Sequence, residues 1–193
     1  MTMELIFATN NIHKLTEAKN ILGEKLKILS LEEMNFFEEI PEDYLTLEEN
    51  ARQKSKIIYE RFKINCFSDD TGLEVESLNN EPGVFSARYA GENKNSLDNI
   101  KKLLENLENK KSRKAQFRTI IALIFNNEEY LFEGIIKGKI AKEIKGMNGF
   151  GYDSVFIPEN FNHTFAELSD SQKNTISHRA LALEQLFLFL NKK

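Results

Sequence analysis

Tryptophan is absent from this chain, and cysteine occurs once, at Cys66. A lone cysteine excludes an intramolecular disulfide, so the fold must rest on a core, and a reducing cytoplasm is the natural setting. With 193 residues the chain can bury about 70 % of its unfolded surface. That suits one compact domain, or one domain with two lobes. Cys66 sits in the apolar-looking segment Asn65-Cys66-Phe67-Ser68 and reads as a plain buried thiol rather than a nucleophile. The missing tryptophan, set against plentiful phenylalanine, reads as residue-usage bias.

Long apolar runs are also lacking. The longest, Ile120 to Phe125, is far short of the roughly 20 residues a membrane helix needs. The start, Met1-Thr2-Met3-Glu4-Leu5-Ile6-Phe7, has no basic region followed by an apolar stretch, so no signal peptide is expected. Nor is there an excess of positive charge: the formal net charge is −4. Non-specific binding to DNA or an anionic membrane depends on basic surface and is disfavoured. A small phosphate ligand held by a local group of cations remains open. The expectation is a soluble, cytoplasmic protein with neither a membrane nor a nucleic-acid polymer as partner.

No internal repeat or low-complexity segment is present. Glu105 to Lys114, crowded with Asn, Lys and Glu, reads as a solvated helix end and loop, with a boundary between lobes as a weaker reading. Leu5 to Ala8 reads as a strand and Thr9-Asn10-Asn11 as a polar turn. A helix from about His13 to Leu22 follows, with Leu15, Ala18, Ile21 and Leu22 on one face. Lys27 to Leu31 suits a second strand. Thr46 with Glu49 gives a capping-box signature for a helix to about Phe62, with Ala51, Ile58 and Phe62 turned inward. After a turn at Asp69-Asp70-Thr71-Gly72, Leu73 to Leu78 alternates as a half-buried strand should. Asn79 to Gly83 is a turn cluster. Phe117 to Phe125 and Tyr130 to Ile136 flank Asn126 to Glu129 as a hairpin. Asn95 to Leu107 and Ser177 to Leu190 read as helices, the last with Leu183, Leu186, Phe187 and Leu190 facing the core. Such βα units with a hairpin predict an α/β fold with a mixed sheet.

Four groups of residues could carry chemistry. Thr9-Asn10-Asn11-Ile12-His13-Lys14 joins a strand to a helix N-terminus, where backbone N–H groups and the helix dipole favour anions and Lys14 adds charge. The loop lacks the glycines and Lys-Ser/Thr pair of a Walker loop. Asp69 and Asp70 stand together, and adjacent carboxylates are best tolerated in water or around a cation; Gly72 would permit a sharp turn. Glu42 could converge on the same point, and hard oxygen ligands select magnesium or manganese over zinc. Gly149-Phe150-Gly151-Tyr152-Asp153 could bring backbone, an aromatic face and a carboxylate to a flat ligand. Lys173, Ser177, His178 and Arg179 place cations at a helix N-terminus, which is unfavourable unless an anion or carboxylate compensates. Each group alone also has an ordinary reading: a βα turn, a solvated Asp-Asp turn, a glycine-rich turn with a core Phe, or a surface Arg.

Together these segments resemble the inosine triphosphate pyrophosphatase family, which removes non-standard purine nucleotides. The matching stretches are Phe7 to Asn11 with Lys14, Glu48-Glu49-Asn50-Ala51 with Lys54, Asp69 to Leu73, Pro82 to Gly91, Gly149 to Asp153, Thr164 to Leu168, and Ser177-His178-Arg179 with Ala182. They run in the family's order along nearly the whole chain. The resemblance implies a single domain over residues 1–193: an elongated α/β fold, a long twisted mixed sheet with flanking helices, and two lobes around a central cleft. It implies a homodimer, a magnesium cofactor with manganese possible, and hydrolysis of a nucleoside triphosphate to monophosphate and pyrophosphate. Thr9 to Lys14 and Lys54 would hold the triphosphate, and Glu42 and Asp70 the metal, with Asp69 beside them. Asp70, Asp69 and Lys14 would carry catalysis, Asp70 being the favoured general base, with Asp69 or a metal-bound hydroxide as the alternatives. Thr71 would touch phosphates or ribose. Phe150 would stack on the purine, with Gly151, Tyr152 and Asp153 shaping its pocket. Lys173, His178 and Arg179 would recognise the base. The chain departs from the family in carrying Thr71 where Ser is common and in diverging from Pro41 to Leu47, where Glu38, Glu39 and Asp43 rival Glu42. A related hydrolase of different base preference and a non-catalytic nucleotide-binding module are the alternatives.

Overall fold

The computed structural model describes residues 3–23 and 26–193. The observed fold is mixed α/β, with five α-helices and a mixed seven-stranded sheet among the described residues. The strands are β1 (Glu4–Phe7), β2 (Lys27–Leu29), β3 (Cys66–Val75), β4 (Pro82–Gly83), β5 (Lys114–Phe125), β6 (Glu128–Ile140) and β7 (Phe156–Pro158). The helices are α1 (Ile12–Leu22), α2 (Leu47–Phe62), α3 (Ser96–Asn106), α4 (Asp170–Ile176) and α5 (His178–Leu190). The sheet order is β2-β1-β3-β5-β6-β7, with β4 paired to β3.

The chain divides into two compact units: Met1–Asp70, Thr119–Gly134 and His178–Lys193 form the first, and Thr71–Arg118 with Ile135–Ser177 form the second. Glu105 to Lys114 lies wholly inside the second unit, so it marks no boundary; Arg113 ties it down by donating to the carbonyls of Leu107, Ile140 and Ala141.

In the first unit β1 pairs in parallel with β2 and β3. Alternate residues of a strand face opposite sides, so this short run feeds two cores. Leu5, Phe7 and Phe67 pack with Ala18 and Leu22 of α1 and with Ala182, Leu183, Leu186 and Leu190 of α5. Ile6, Ala8 and Cys66 pack on the other face with Ile58 of α2. Phe7 and Phe67 stack with centroids 4.4 Å apart, worth about 0.5–1.5 kcal/mol beyond burial. The Cys66 thiol is buried and donates to the carbonyl of Ser55. In the second unit Leu73, Val75, Ile100, Leu103, Phe117, Phe156 and Phe165 form one core, with α3 covering it.

Local chemistry accounts for most boundaries. Asn11, Thr46 and Asn95 cap α1, α2 and α3 through side-chain oxygens. The β5–β6 turn is only Asn126-Asn127, both at positive φ (51° and 69°), the left-handed pair a two-residue hairpin requires. That is tighter than the four-residue connection expected, and both strands run longer. β2 ends at Leu29 because Leu31 enters a turn.

Two larger differences stand out. No turn breaks the chain at Asp69-Asp70-Thr71-Gly72: these residues lie inside the ten-residue strand β3, which ends at Val75. Gly72 serves close approach, since a Cβ there would lie 2.8 Å from the Gly83 carbonyl oxygen. The C-terminal helix is preceded by a separate helix, α4, capped reciprocally by Ser169 and Gln172. Ser177 is extended (φ −67°, ψ 154°) and separates it from α5.

Candidate active site

The β1–α1 loop is shaped by its own side chains. Thr9 Oγ1 accepts from the Asn11 amide at 3.2 Å, and Asn11 Oδ1 accepts from the amides of His13 and Lys14 at 2.9 and 3.2 Å. The cap therefore takes several N–H groups that the sequence suggested for phosphate. Asn10, Asn11, Ile12 and His13 are exposed and Thr9 is half-buried. The Asn10 amide donates to the carbonyl of Glu38 at 3.0 Å.

Beneath the loop lie two groups of buried charges, separated by the alternation of β3. Neighbouring strand residues point to opposite faces, and Asp69 and Asp70 bond different ammonium groups, Lys14 and Lys54. Asp69 Oδ1 receives the Lys14 ammonium at 3.0 Å. Its Oδ2 receives both Nε and Nη2 of Arg179 at 3.1 Å, and Arg179 Nη1 donates to Glu17. Asp70 Oδ1 and Glu42 Oε1 instead converge on one ammonium, Lys54 Nζ, at 3.0 and 2.5 Å. The mutual repulsion of the adjacent acids is relieved by the cations bonded to them inside the protein.

These contacts set the protonation states. Burial opposes ionisation of Asp69, but Lys14, Arg179 and Lys54 outweigh it and hold the carboxyl well below the usual range. Burial lowers the Lys14 pKa, and Asp69 offsets that only in part. Lys54 moves the other way: Asp70 and Glu42 outweigh its burial and keep it protonated. Burial raises Asp70, and the nearby Glu42 charge adds to the rise, because one ammonium cannot neutralise two carboxylates.

The second unit gathers a different set. Gly149 and Gly151 have positive φ (77° and 58°), which bends the loop around the buried Asp153. Asp153 Oδ2 accepts from the Phe150 amide at 2.9 Å and from Lys173 Nζ at 2.6 Å. A Cβ on Gly149 would lie 2.2 Å from that same oxygen. The Lys173 ammonium sits 4.8 Å from the centroid of the half-buried Phe150 ring, a cation–π distance. Tyr152 belongs to the core: it is buried, and its hydroxyl donates to the Ser86 carbonyl at 2.9 Å. Thr71 is half-buried on β3 in the same unit.

His178 and Arg179 are buried rather than surface residues, at 4 % and 1 % exposure. The anionic compensation that a cation needs at a helix start is supplied for Arg179 by Asp69 and Glu17. Two polar residues without an assigned role in the sequence reading take part. Glu17 stands one turn from Lys14 on α1, and Asn50 one turn before Lys54 on α2, so i,i+3 and i,i+4 spacing was the available signal. Asn50 is 1 % exposed and its amide approaches Asp70 Oδ2 at 3.4 Å.

The donor chemistry of Glu42 and Asp70 suits a divalent ion. Glu42 and Asp70 already converge on a cation, the Lys54 ammonium, and both present hard oxygen. Among the described residues no group of three or more His, Cys, Asp or Glu could hold a metal. That donor set does not make a structural zinc site, whereas magnesium is commonly held by one or two carboxylates together with substrate phosphates.

Fold and buried charges define a class: a mixed α/β protein whose carboxylate–cation clusters are of the kind phosphate chemistry uses. The Ham1 family matches residues 5–189, and the chain belongs to that family. It is 53 % identical to the dITP/XTP pyrophosphatase of Flavobacterium johnsoniae, covering 95 % of this chain and 96 % of that protein. It is also 53 % identical to the enzyme of the same name from Porphyromonas gingivalis, covering 97 % of each. The solved HAM1 protein of Coxiella burnetii superposes with a TM-score of 0.90 at 37 % identity, covering 100 % of both chains. The Staphylococcus aureus Ham1 protein gives 0.88 at 40 % identity, covering 98 % of each. No described helix is long and apolar enough to cross a membrane.

Proposed function

We propose that this protein hydrolyses non-standard purine nucleoside triphosphates, those of inosine, deoxyinosine and xanthosine, to the monophosphate and pyrophosphate, cleansing the nucleotide pool. The carrying observation is that Glu42 and Asp70 converge on Lys54 in a chain of the Ham1 family. Water attacks the α-phosphorus, the bond from that phosphorus to the bridging oxygen of the β-phosphate breaks, and pyrophosphate leaves with the electron pair. A magnesium ion, or manganese in its place, would be held by Glu42 and Asp70 and would supply charge neutralisation on the phosphates.

The phosphate-handling roles fall to residues of the first unit. Thr9 to His13 line the approach, and Lys14 and Lys54 stabilise charge growing on the leaving oxygens. By the family resemblance Asp70 is the favoured general base, taking the proton of the attacking water. Asp69 has both oxygens engaged by Lys14 and Arg179 and acts by positioning those cations. The base-recognising roles fall to Phe150, as a stacking face, and to Lys173, oriented by Asp153; Gly151 and Tyr152 shape the loop, Thr71 meets phosphate or ribose, and His178 reads the base. A donor aimed at a 6-keto oxygen is left unpaired against adenine, which is the basis of selectivity. The chain works as a single domain over residues 1–193, as a homodimer, in the cytoplasm.

Pyrophosphate release from inosine, xanthosine, adenosine and guanosine triphosphates, with magnesium and with chelator, tests this reading. Magnesium-dependent release from the first two alone is expected, with Asp70→Asn losing about 10²–10⁴-fold in kcat. Equal release from all four would remove the selectivity argument in favour of a hydrolase of other base preference. Binding of inosine triphosphate without turnover would make the protein a nucleotide-binding module.

A further inference from the structure

Glu42 lies on a stretch with neither helix nor strand, between Phe36 and Thr46. Ile40 anchors that stretch in a core cluster, whereas Phe37 and Leu45 are each 75 % exposed. Three side chains of α2 grip three consecutive residues of it. Lys54 Nζ bonds Glu42 Oε1 at 2.5 Å. Gln53 accepts from the Asp43 amide at 3.2 Å and donates to its carboxylate at 2.6 Å. Asn50 Oδ1 accepts from the Tyr44 amide at 2.9 Å, while its Nδ2 donates to the Tyr44 carbonyl at 3.2 Å.

These grips differ in what they survive. The Lys54 grip is electrostatic, and an ammonium is repelled by any second cation that joins Glu42 and Asp70. The Gln53 grip holds the exposed Asp43, where water competes for the same bonds. The Asn50 grip is neutral and made by a buried side chain, and its planar amide matches both the N–H donor and the C=O acceptor of one residue, Tyr44. The same Nδ2 also faces Asp70 Oδ2 at 3.4 Å. Asn50 thus touches both the backbone two residues from Glu42 and the carboxylate of Asp70.

We propose that Asn50 is a positioning residue: by clamping Tyr44 beside Asp70 it fixes the spacing of the Glu42 and Asp70 carboxylates for a divalent cation. This rests on the functional reading above, in which those two acids hold the metal. It gives the Glu48-Glu49-Asn50-Ala51 stretch a physical role that α2 formation alone does not require. Partners that orient metal ligands typically change metal affinity by about 10–100-fold when removed.

The test compares the full chain with its Asn50→Ala and Gln53→Ala variants. Three readouts are needed: Mn²⁺ affinity by calorimetry in the presence of α,β-imido inosine triphosphate, the Mg²⁺ concentration for half-maximal turnover, and amide hydrogen exchange at Tyr44 without metal. Asn50→Ala is expected to expose the Tyr44 amide, to weaken Mn²⁺ binding about 10–100-fold, and to raise the half-maximal Mg²⁺ concentration alike. Its kcat returns toward wild type at saturating Mg²⁺, whereas Gln53→Ala leaves metal affinity unchanged. A lower Tm with unaltered Mn²⁺ affinity would make Asn50 a structural residue and overturn the proposal. So would loss of kcat at every Mg²⁺ concentration with unaltered binding. If Asn50→Ala does not fold, Tyr44→Pro carries the test, because it deletes the N–H that Asn50 accepts at a half-exposed side chain; unaltered metal affinity there also overturns the proposal. A wild-type protein that neither binds Mn²⁺ nor turns over would sink the functional reading, whereas normal wild-type behaviour with an indifferent Asn50→Ala sinks the positioning role alone.

Discussion

Replacing Arg179 by methionine keeps most of the side-chain volume but removes a charge that the fold has fully enclosed. The guanidinium is 1 % exposed, donates twice to Asp69 Oδ2 at 3.1 Å and once more to Glu17. Asp69 keeps Lys14 at 3.0 Å, so the variant does not strip that acid bare; Glu17 loses its guanidinium. Breaking a buried pair by removing one partner costs about 3–5 kcal/mol, because the remaining charge stays desolvated. In a chain of this size each kcal/mol moves Tm by about 2–4 °C, so a fall of roughly 6–20 °C is expected. Thermal and urea melts at neutral pH measure it, and Glu17→Gln in the same background should restore part of the loss. The acid limb gives an independent check. Asp69 is held far below its ordinary value of 3.8, so its contribution is complete above that value and is lost as pH falls from there toward the folded one. Arg179→Met moves the folded value upward, and the acid-induced loss attributable to Asp69 should shrink. A Tm within 2 °C of wild type, on the scale of about 2–4 °C per kcal/mol, would show that the Asp69–Arg179–Glu17 group is not the buried network described.

Burial pushes the Cys66 thiol up to about 12 from an ordinary 9.0. The folded state therefore disfavours the thiolate, and stability should fall as pH climbs between those values, by at most about 1.4 kcal/mol per pH unit. Denaturation curves from pH 8 to 11 should fall more steeply in wild type than in Cys66→Ala, the buried tyrosines supplying the slope that remains; identical slopes would refute it. A Cβ at Gly134 would lie 1.9 Å from the His178 carbonyl oxygen and 2.7 Å from the Ala182 nitrogen. Gly134→Ala should thus cost at least the roughly 1–3 kcal/mol of an overpacked core, and an unshifted melting curve would contradict the close approach of β6 to α5. Phe150→Ala removes a half-buried ring and should leave Tm nearly unchanged. It should weaken inosine triphosphate by about 1–3 kcal/mol of lost stacking, read as a rise in KM; an unchanged KM would remove Phe150 from the base site.

The parts legible in the sequence share a physical cause: their information is local. A side-chain oxygen at Asn11, Thr46 or Asn95 caps the helix next to it, and apolar residues one turn apart mark the faces of α1 and α5. The paired asparagines at 126 and 127 supply the left-handed turn of the hairpin. Even the short helix α4 had a local signal, Ser169 with Gln172, but seven residues without an apolar period hid it. Asp69 to Gly72 reads as a turn because buried acids resemble solvated ones when nothing says which cations lie opposite, yet these residues lie inside β3. The resemblance implies a pocket-shaping role for Tyr152, and its bond to the Ser86 carbonyl, 66 residues away, is a tertiary contact that no local pattern shows.

The sequence by itself determined the class of fold, the starts of α1, α2, α3 and α5 to within a residue or two, and the residue types that chemistry could use, because short-range periodicity and capping are written within a few residues. It could not say how those residues pair. Arg179 meets Asp69 across 110 residues and Glu17 across 162, and Lys54 meets Asp70 across 16 and Glu42 across 12. Only the tertiary structure decides such pairings, because the sheet sends Asp69 and Asp70 to opposite faces and burial makes each charge depend on whichever counter-charge the fold brings to it.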